Sequence, residues 1–156
     1  MNLRTAMFSA AFAAPLAFAA PALASDKTDI LAVISQFKDL GNKLDHGSAA
    51  KLCAEQVVIV DMYAPYTWSG EGACLSWMKD GDDYGKAMGI SDGLVAFERE
   101  PKVIITGDTA YAAMPTRFTY KVKGKVAAEP LRSVWAYTLK KLPTGWRITG
   151  MGWGLK

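Results

Sequence analysis

The spacing of apolar residues along this 156-residue chain changes period once, near Gly89, and that change limits the possible folds more than any other feature. Before it, Ile30, Val33, Ile34, Phe37, Leu40 and Leu44 recur at three- and four-residue steps with Gln36, Lys38, Asp39 and Lys43 between them. This predicts an amphipathic helix, with Asp26 or Thr28 placed to cap it. Asp45-His46-Gly47-Ser48 breaks the pattern, and Ser48 is positioned to cap a short second helix through Leu52. The β-branched run Val57-Val58-Ile59-Val60-Asp61 predicts a strand, and residues 64–70 read as a loop. Cys74, Trp77, Met78, Gly81, Tyr84 and Met88 then mark a third helix, weakened by Gly81 and Gly85. After Gly89 four β-rich segments are predicted, near 93–106, 109–122, 127–141 and 145–155, separated by Gly- and Pro-containing turns. Helices first and a long meander afterwards imply an α+β fold, with the helices packed on one face of a curved antiparallel sheet. Pro101, Pro115 and Pro130 are expected at edges or bulges of its long strands.

The first 24 residues carry a different signal. One charge, Arg4, precedes an apolar run interrupted by Pro15 and Pro21, and Ala22-Leu23-Ala24 supplies small residues where a signal peptidase reads. The expectation is a secretory leader cleaved after Ala24 and a mature chain, residues 25–156, working in a periplasm or outside the cell. A retained membrane anchor fits less well, because of the two prolines and the missing flanking charge. The remaining 132 residues suffice for one domain and are too few for two. The leader takes away only one of 18 basic side chains and none of the 15 acidic ones, leaving a net charge of +2. That balance is no footprint for nucleic acid, and Lys121, Lys123 and Lys125 read as a solvated strand face. No later apolar stretch approaches membrane-spanning length, so no stable membrane insertion is expected after cleavage.

Cys53 and Cys74 are the two cysteines, and in an oxidising compartment an even count permits one bridge closing residues 54–73. The other reading is two buried thiols acting as small apolar groups. The single histidine, His46, and the lack of a close cysteine pair leave no zinc-type ligand spacing, so neither a metal nor a cofactor is expected. His46 reads as a residue serving the end of the first helix. No Ser-His-Asp or Cys-His arrangement, phosphate loop or nucleotide motif occurs.

The order helix, short helix, strand, helix and four strands resembles the nuclear transport factor 2-like superfamily, which includes SnoaL-like cyclases and ketosteroid isomerases. The closing stretch Tyr137-Thr138-Leu139-Lys140-Lys141-Leu142-Pro143-Thr144-Gly145-Trp146-Arg147-Ile148 resembles that group's penultimate strand, turn and opening of the last strand. The resemblance covers residues 26–155 and implies a cone with a small-molecule pocket at its open end, and frequent dimerisation through the outer face of the sheet.

Alternation along the strands turns Leu131, Ser133, Trp135, Tyr137 and Leu139, with Met114, Phe118 and Tyr120, toward the helices. Together with Phe37, Tyr66, Trp68 and Trp77 they would line an aromatic pocket suited to a small hydrophobic or aromatic molecule. Asp61 shares a face with Val57, Ile59 and Tyr63, and resembles the proton-shuttling carboxylate of the ketosteroid isomerase branch in position. That branch's tyrosine donor on the first helix is matched by Phe37, and its late-strand acid by a stretch, 132–135, that contains none. Without those donors an enolate lacks stabilisation, so the leading expectation is a binding protein without catalysis. A lyase or isomerase using Asp61 as base, with Tyr63, Tyr66 or Tyr120 as donors, is the alternative, and a protein-interaction module is the third reading. In the last strand, Ile148, Gly150, Gly152 and Gly154 are expected inward and Met151 and Trp153 outward, which makes Trp153 the expected anchor of a homodimer.

Overall fold

The computed structural model describes residues 19–127 and 129–155, so most of the expected leader lies outside the described residues. Helix α1 (Ala19–Asn42) buries Ile30, Ile34 and Phe37 on one stripe, as their spacing requires. Neither Asp26 nor Thr28 caps it, because the alanine-rich turn before them is itself helical. Thr28 Oγ1 instead donates back to the Ala24 carbonyl at 3.1 Å. Asp26 turns inward and accepts from the Trp146 indole at 3.0 Å and from Lys141 Nζ at 2.6 Å. Helix α2 (His46–Ala50) is capped by Asp45, whose carboxylate accepts from the Ser48 N–H at 3.1 Å; Ser48 lies inside the helix. A carboxylate complements the positive end of a helix better than a hydroxyl does. His46 therefore opens α2 and does not serve the end of α1. Helix α3 (Ala73–Ala87) is where the sequence put it.

Strands β1 (Cys53–Val60), β2 (Thr67–Gly70), β3 (Ile90–Phe97), β4 (Lys102–Thr106), β5 (Thr109–Val122), β6 (Lys125–Val126), β7 (Leu131–Leu142) and β8 (Gly145–Leu155) form one curved sheet. Its order is β2-β1-β8-β7-β5-β3, with β4 and β6 also paired to β5. The fold is α+β as expected, but the sheet is mixed: β1 and β8 run parallel, since the chain returns beside its first strand from the far end of the meander. Three expectations change, the first being that the segment expected near 127–141 starts at Leu131, with Lys125–Val126 a strand of its own. The loop at 64–70 contains β2, which pairs with β1 from Val57↔Gly70 to Val60↔Thr67. The segment expected as one strand near 93–106 is two, interrupted before Pro101, and both halves lie along β5. Pro115 is tolerated in the middle of β5 because its carbonyl, bonded by the Glu98 N–H at 2.9 Å, faces the break between β4 and β3. Its nitrogen faces the same break, where no ladder bond is forgone.

A bulge in β8 has the largest consequence. Leu139 pairs with Ile148 but Thr138 pairs with Gly150, so Thr149 is an extra residue and the alternation reverses after it. Ile148 is buried as expected, but beyond the bulge Met151 and Trp153 point inward, and Gly150 and Gly152 lie against Thr138 and Val60 on the outer face. The expected faces of this half-strand are thus inverted, and Trp153 cannot anchor a contact made from outside.

Candidate functional site

The inward alternation of β1 continues past its end, from Val57 and Ile59 to Asp61 and then Tyr63, as the sequence predicted. Asp61 Oδ2 accepts from the Trp77 indole of α3 at 2.7 Å. Its Oδ1 accepts from the Met62 N–H at 2.6 Å and from the Trp153 indole of β8. One carboxylate therefore joins the loop after β1, α3 and the last strand. Tyr63 donates its hydroxyl to the Trp77 carbonyl at 2.8 Å. Burial, and then the charges of Asp61, Asp80 and Asp82, push the Tyr63 phenol far above its ordinary range. It is a fixed donor already spent on the backbone. Gly81 makes that bond possible, since a Cβ there would lie 2.8 Å from the Tyr63 oxygen. Cys53 and Cys74 are joined in a disulfide, which fastens the start of β1 to the first turn of α3.

Between α1, α3 and the sheet lies a cavity of about 880 Å³. Of the expected lining, Phe37, Trp77, Phe118, Tyr120, Leu131, Ser133 and Trp135 border it. Phe37 and Trp77 stack with centroids 6.3 Å apart, and Trp135 meets Trp77 edge-on at 6.2 Å. The other expected positions do not border it. Met114 and Tyr137 are packed into the core behind it, Tyr66 is 60% exposed, and Trp68 is buried behind Tyr63 with its indole on Asp80 at 2.8 Å. Tyr66 and Trp68 belong to the turn into β2 and to β2 itself, where a loop is expected from the sequence. Tyr137 is completely enclosed, and burial raises its phenol well above the ordinary value. Leu44 and Met62, both largely exposed, stand at the rim.

Several wall residues were not anticipated. Trp153 enters only through the β8 bulge, which alternation alone does not reveal. His46 Nε2 lies 2.9 Å from Asp82 Oδ2, a hydrogen bond that joins α2 to α3 between residues 36 apart in sequence. Asn42 closes the end of α1 onto β3, donating to the Val95 carbonyl and accepting from its N–H, both at 2.9 Å. Thr116 was not expected either, and its hydroxyl forms a buried 2.7 Å pair on the sheet side with that of Ser133, which was. Among the described residues no group of three or more His, Cys, Asp or Glu side chains could hold a metal ion, and no helix is long and apolar enough to cross a membrane.

Neither a protein-family model nor a curated protein matches the sequence. Solved structures do match in three dimensions. An NTF2-like protein with a cystatin-like fold from Novosphingobium aromaticivorans superposes with a TM-score of 0.70 at 21% identity, covering 87% of this chain and 85% of that one. An NTF2-like superfamily protein from Salmonella enterica serovar Typhimurium gives 0.68 at 18% identity, covering 85% and 92%. A ketosteroid isomerase-like protein from Erwinia carotovora gives 0.64 at 17%, covering 81% and 92%. The chain has the nuclear transport factor 2-like, cystatin-like fold.

Proposed function

We propose that this is an exported protein whose cavity holds a small apolar or aromatic molecule without transforming it. The observation that carries the reading is the cavity itself: about 880 Å³, within the range of small-molecule sites, left open among Phe37, Trp77, Phe118, Tyr120 and Trp135 when those rings could have filled it. Of the tyrosines that could serve as donors beside Asp61, Tyr120 borders the cavity, Tyr66 is exposed and Tyr63 is engaged. Tyr63 spends its proton on the Trp77 carbonyl, and Phe37 has none to give, so an enolate formed beside Asp61 would find no hydroxyl donor from either. Export rests on the leader-like residues 1–24. A homodimer through the outer face of the sheet stays part of the proposal, with exposed Val58, Val60 and Ile104 available where Trp153 is not.

Acid–base chemistry is the second reading. Asp61 does border the cavity, its Oδ2 accepts only one hydrogen bond, and the His46–Asp82 pair lies on the same wall. The ketosteroid isomerase-like neighbour has the same fold. Titration with the neutral fluorophore N-phenyl-1-naphthylamine tests the leading reading: fluorescence should rise to saturation at one equivalent, and Trp135→Ala should weaken binding about tenfold. Absence of saturable binding by this and other small ring compounds, neutral or cationic, would overturn it. Turnover of a bound ring ketone, lost in Asp61→Asn, would favour the second reading.

A further inference from the structure

Among the described residues, every lysine, histidine and aspartate of the cavity wall except Asp61 lies against a side chain of the opposite type. Lys38 meets Asp39, His46 meets Asp82, Lys86 meets Asp83 and Asp92 meets Lys121, all within 3.1 Å. Asp61 has no lysine, arginine or histidine within 4.0 Å among the described residues. Its partners are a backbone amide and two indoles, which satisfy its lone pairs but leave its unit charge uncancelled. A half-buried anion with only neutral donors costs free energy that an opposite charge at the same place recovers.

The indoles themselves supply the second half of the argument. An N–H that donates to a carboxylate pushes electron density onto its ring, and the face of an indole is the best aromatic partner for a cation. Trp77 and Trp153 both donate to Asp61, and both rings border the cavity with Phe37 and Trp135 beside Trp77. An inorganic cation would want several oxygen ligands, and among the described residues no group of three or more His, Cys, Asp or Glu side chains gathers around Asp61 or elsewhere to supply them. We propose that the molecule held here is an organic cation, an apolar or aromatic group bearing an ammonium nitrogen, whose charge lies against Trp77 and Trp153 and cancels that of Asp61. This rests on the reading of the cavity as a small-molecule site.

Phenyltrimethylammonium and tert-butylbenzene have the same shape and differ in charge, so their affinities for the purified protein, measured by tryptophan fluorescence, isolate the charge. The cation should bind about tenfold more tightly or better, and Asp61→Asn should erase most of that preference. Equal affinity, or tighter binding of the hydrocarbon, overturns this inference and leaves the ring-binding reading standing. Failure of both probes and of the neutral fluorophore to bind overturns the two together. A preference that survives in a folded Asp61→Asn also overturns the assignment. The wild-type comparison needs no variant, so the proposal stays exposed to refutation even where Asp61→Asn fails to fold.

Discussion

At the two ends of β8, two aspartates accept hydrogen bonds from tryptophan indoles, and they differ in what else they meet. Asp26 takes the Trp146 indole and the Lys141 ammonium, is buried, and lies away from the cavity. Asp61 takes the Trp77 and Trp153 indoles, has no cationic partner among the described residues, and borders the cavity. The Asp26 cluster is internally neutral and complete, as a structural tie between α1 and the last hairpin should be. The Asp61 cluster is equally well hydrogen-bonded but carries a charge that the protein leaves uncancelled. Hydrogen-bond satisfaction therefore does not distinguish the carboxylate that ties two elements from the one that borders the cavity; charge balance does.

The comparison can be strained from the Asp61 side first. The disulfide holds β1 to α3, and with its cysteines 21 residues apart its loss in Cys53→Ser/Cys74→Ser should cost ~3 kcal/mol in urea denaturation. A loss near zero would mean that the hydrogen bonds of Asp61 and Tyr63 hold α3 without it. Gly81→Ala places a methyl group against the Tyr63 hydroxyl, and should cost about 1–2 kcal/mol after the gain in helix propensity. Tyr63→Phe alone should cost about 1 kcal/mol, and in that background Gly81→Ala should become stabilising. Additive effects would show that the two groups do not compete for the same space.

At the other end, Asp26→Asn tests the neutral cluster. Hydrogen bonds from Lys141 and then Trp146 hold the Asp26 carboxyl below its ordinary value of 3.8. A depressed folded pKa stabilises above the unfolded value and loses that contribution as the pH falls from 3.8 through the folded pKa. The melting temperature of the wild type should therefore exceed that of Asp26→Asn near neutrality, and the two should converge in acid. A gap that persists at pH values well below 3.8 would contradict the charged cluster.

Sequence patterning reached the architecture because α1 and the long strands obey their periods, and the Trp-Arg-Ile opening of β8 is in phase with its neighbours. It also put Asp61 on the inner face, where β1 carries it without interruption. It missed what depends on a single inserted residue or on distant partners. Thr149 inverts the end of β8 and moves Trp153 from the outside to the inside, and a bulge of that kind leaves no mark on composition. Asp26 read as a cap because its partners, Lys141 and Trp146, lie more than a hundred residues on. Tyr66 and Trp68 read as lining because the turn into β2, which aims them elsewhere, is set by pairing with β1 and not by their own neighbours.

The five tryptophan indoles report on both ends at once. Assigned indole N–H signals in a proton–nitrogen correlation spectrum, followed during titration with phenyltrimethylammonium, test the central distinction most directly. Trp77 and Trp153 should shift together and saturate at one equivalent, while Trp146 stays fixed. A Trp146 shift matching theirs, or no shift at Trp77 and Trp153 under saturating probe, would contradict the account.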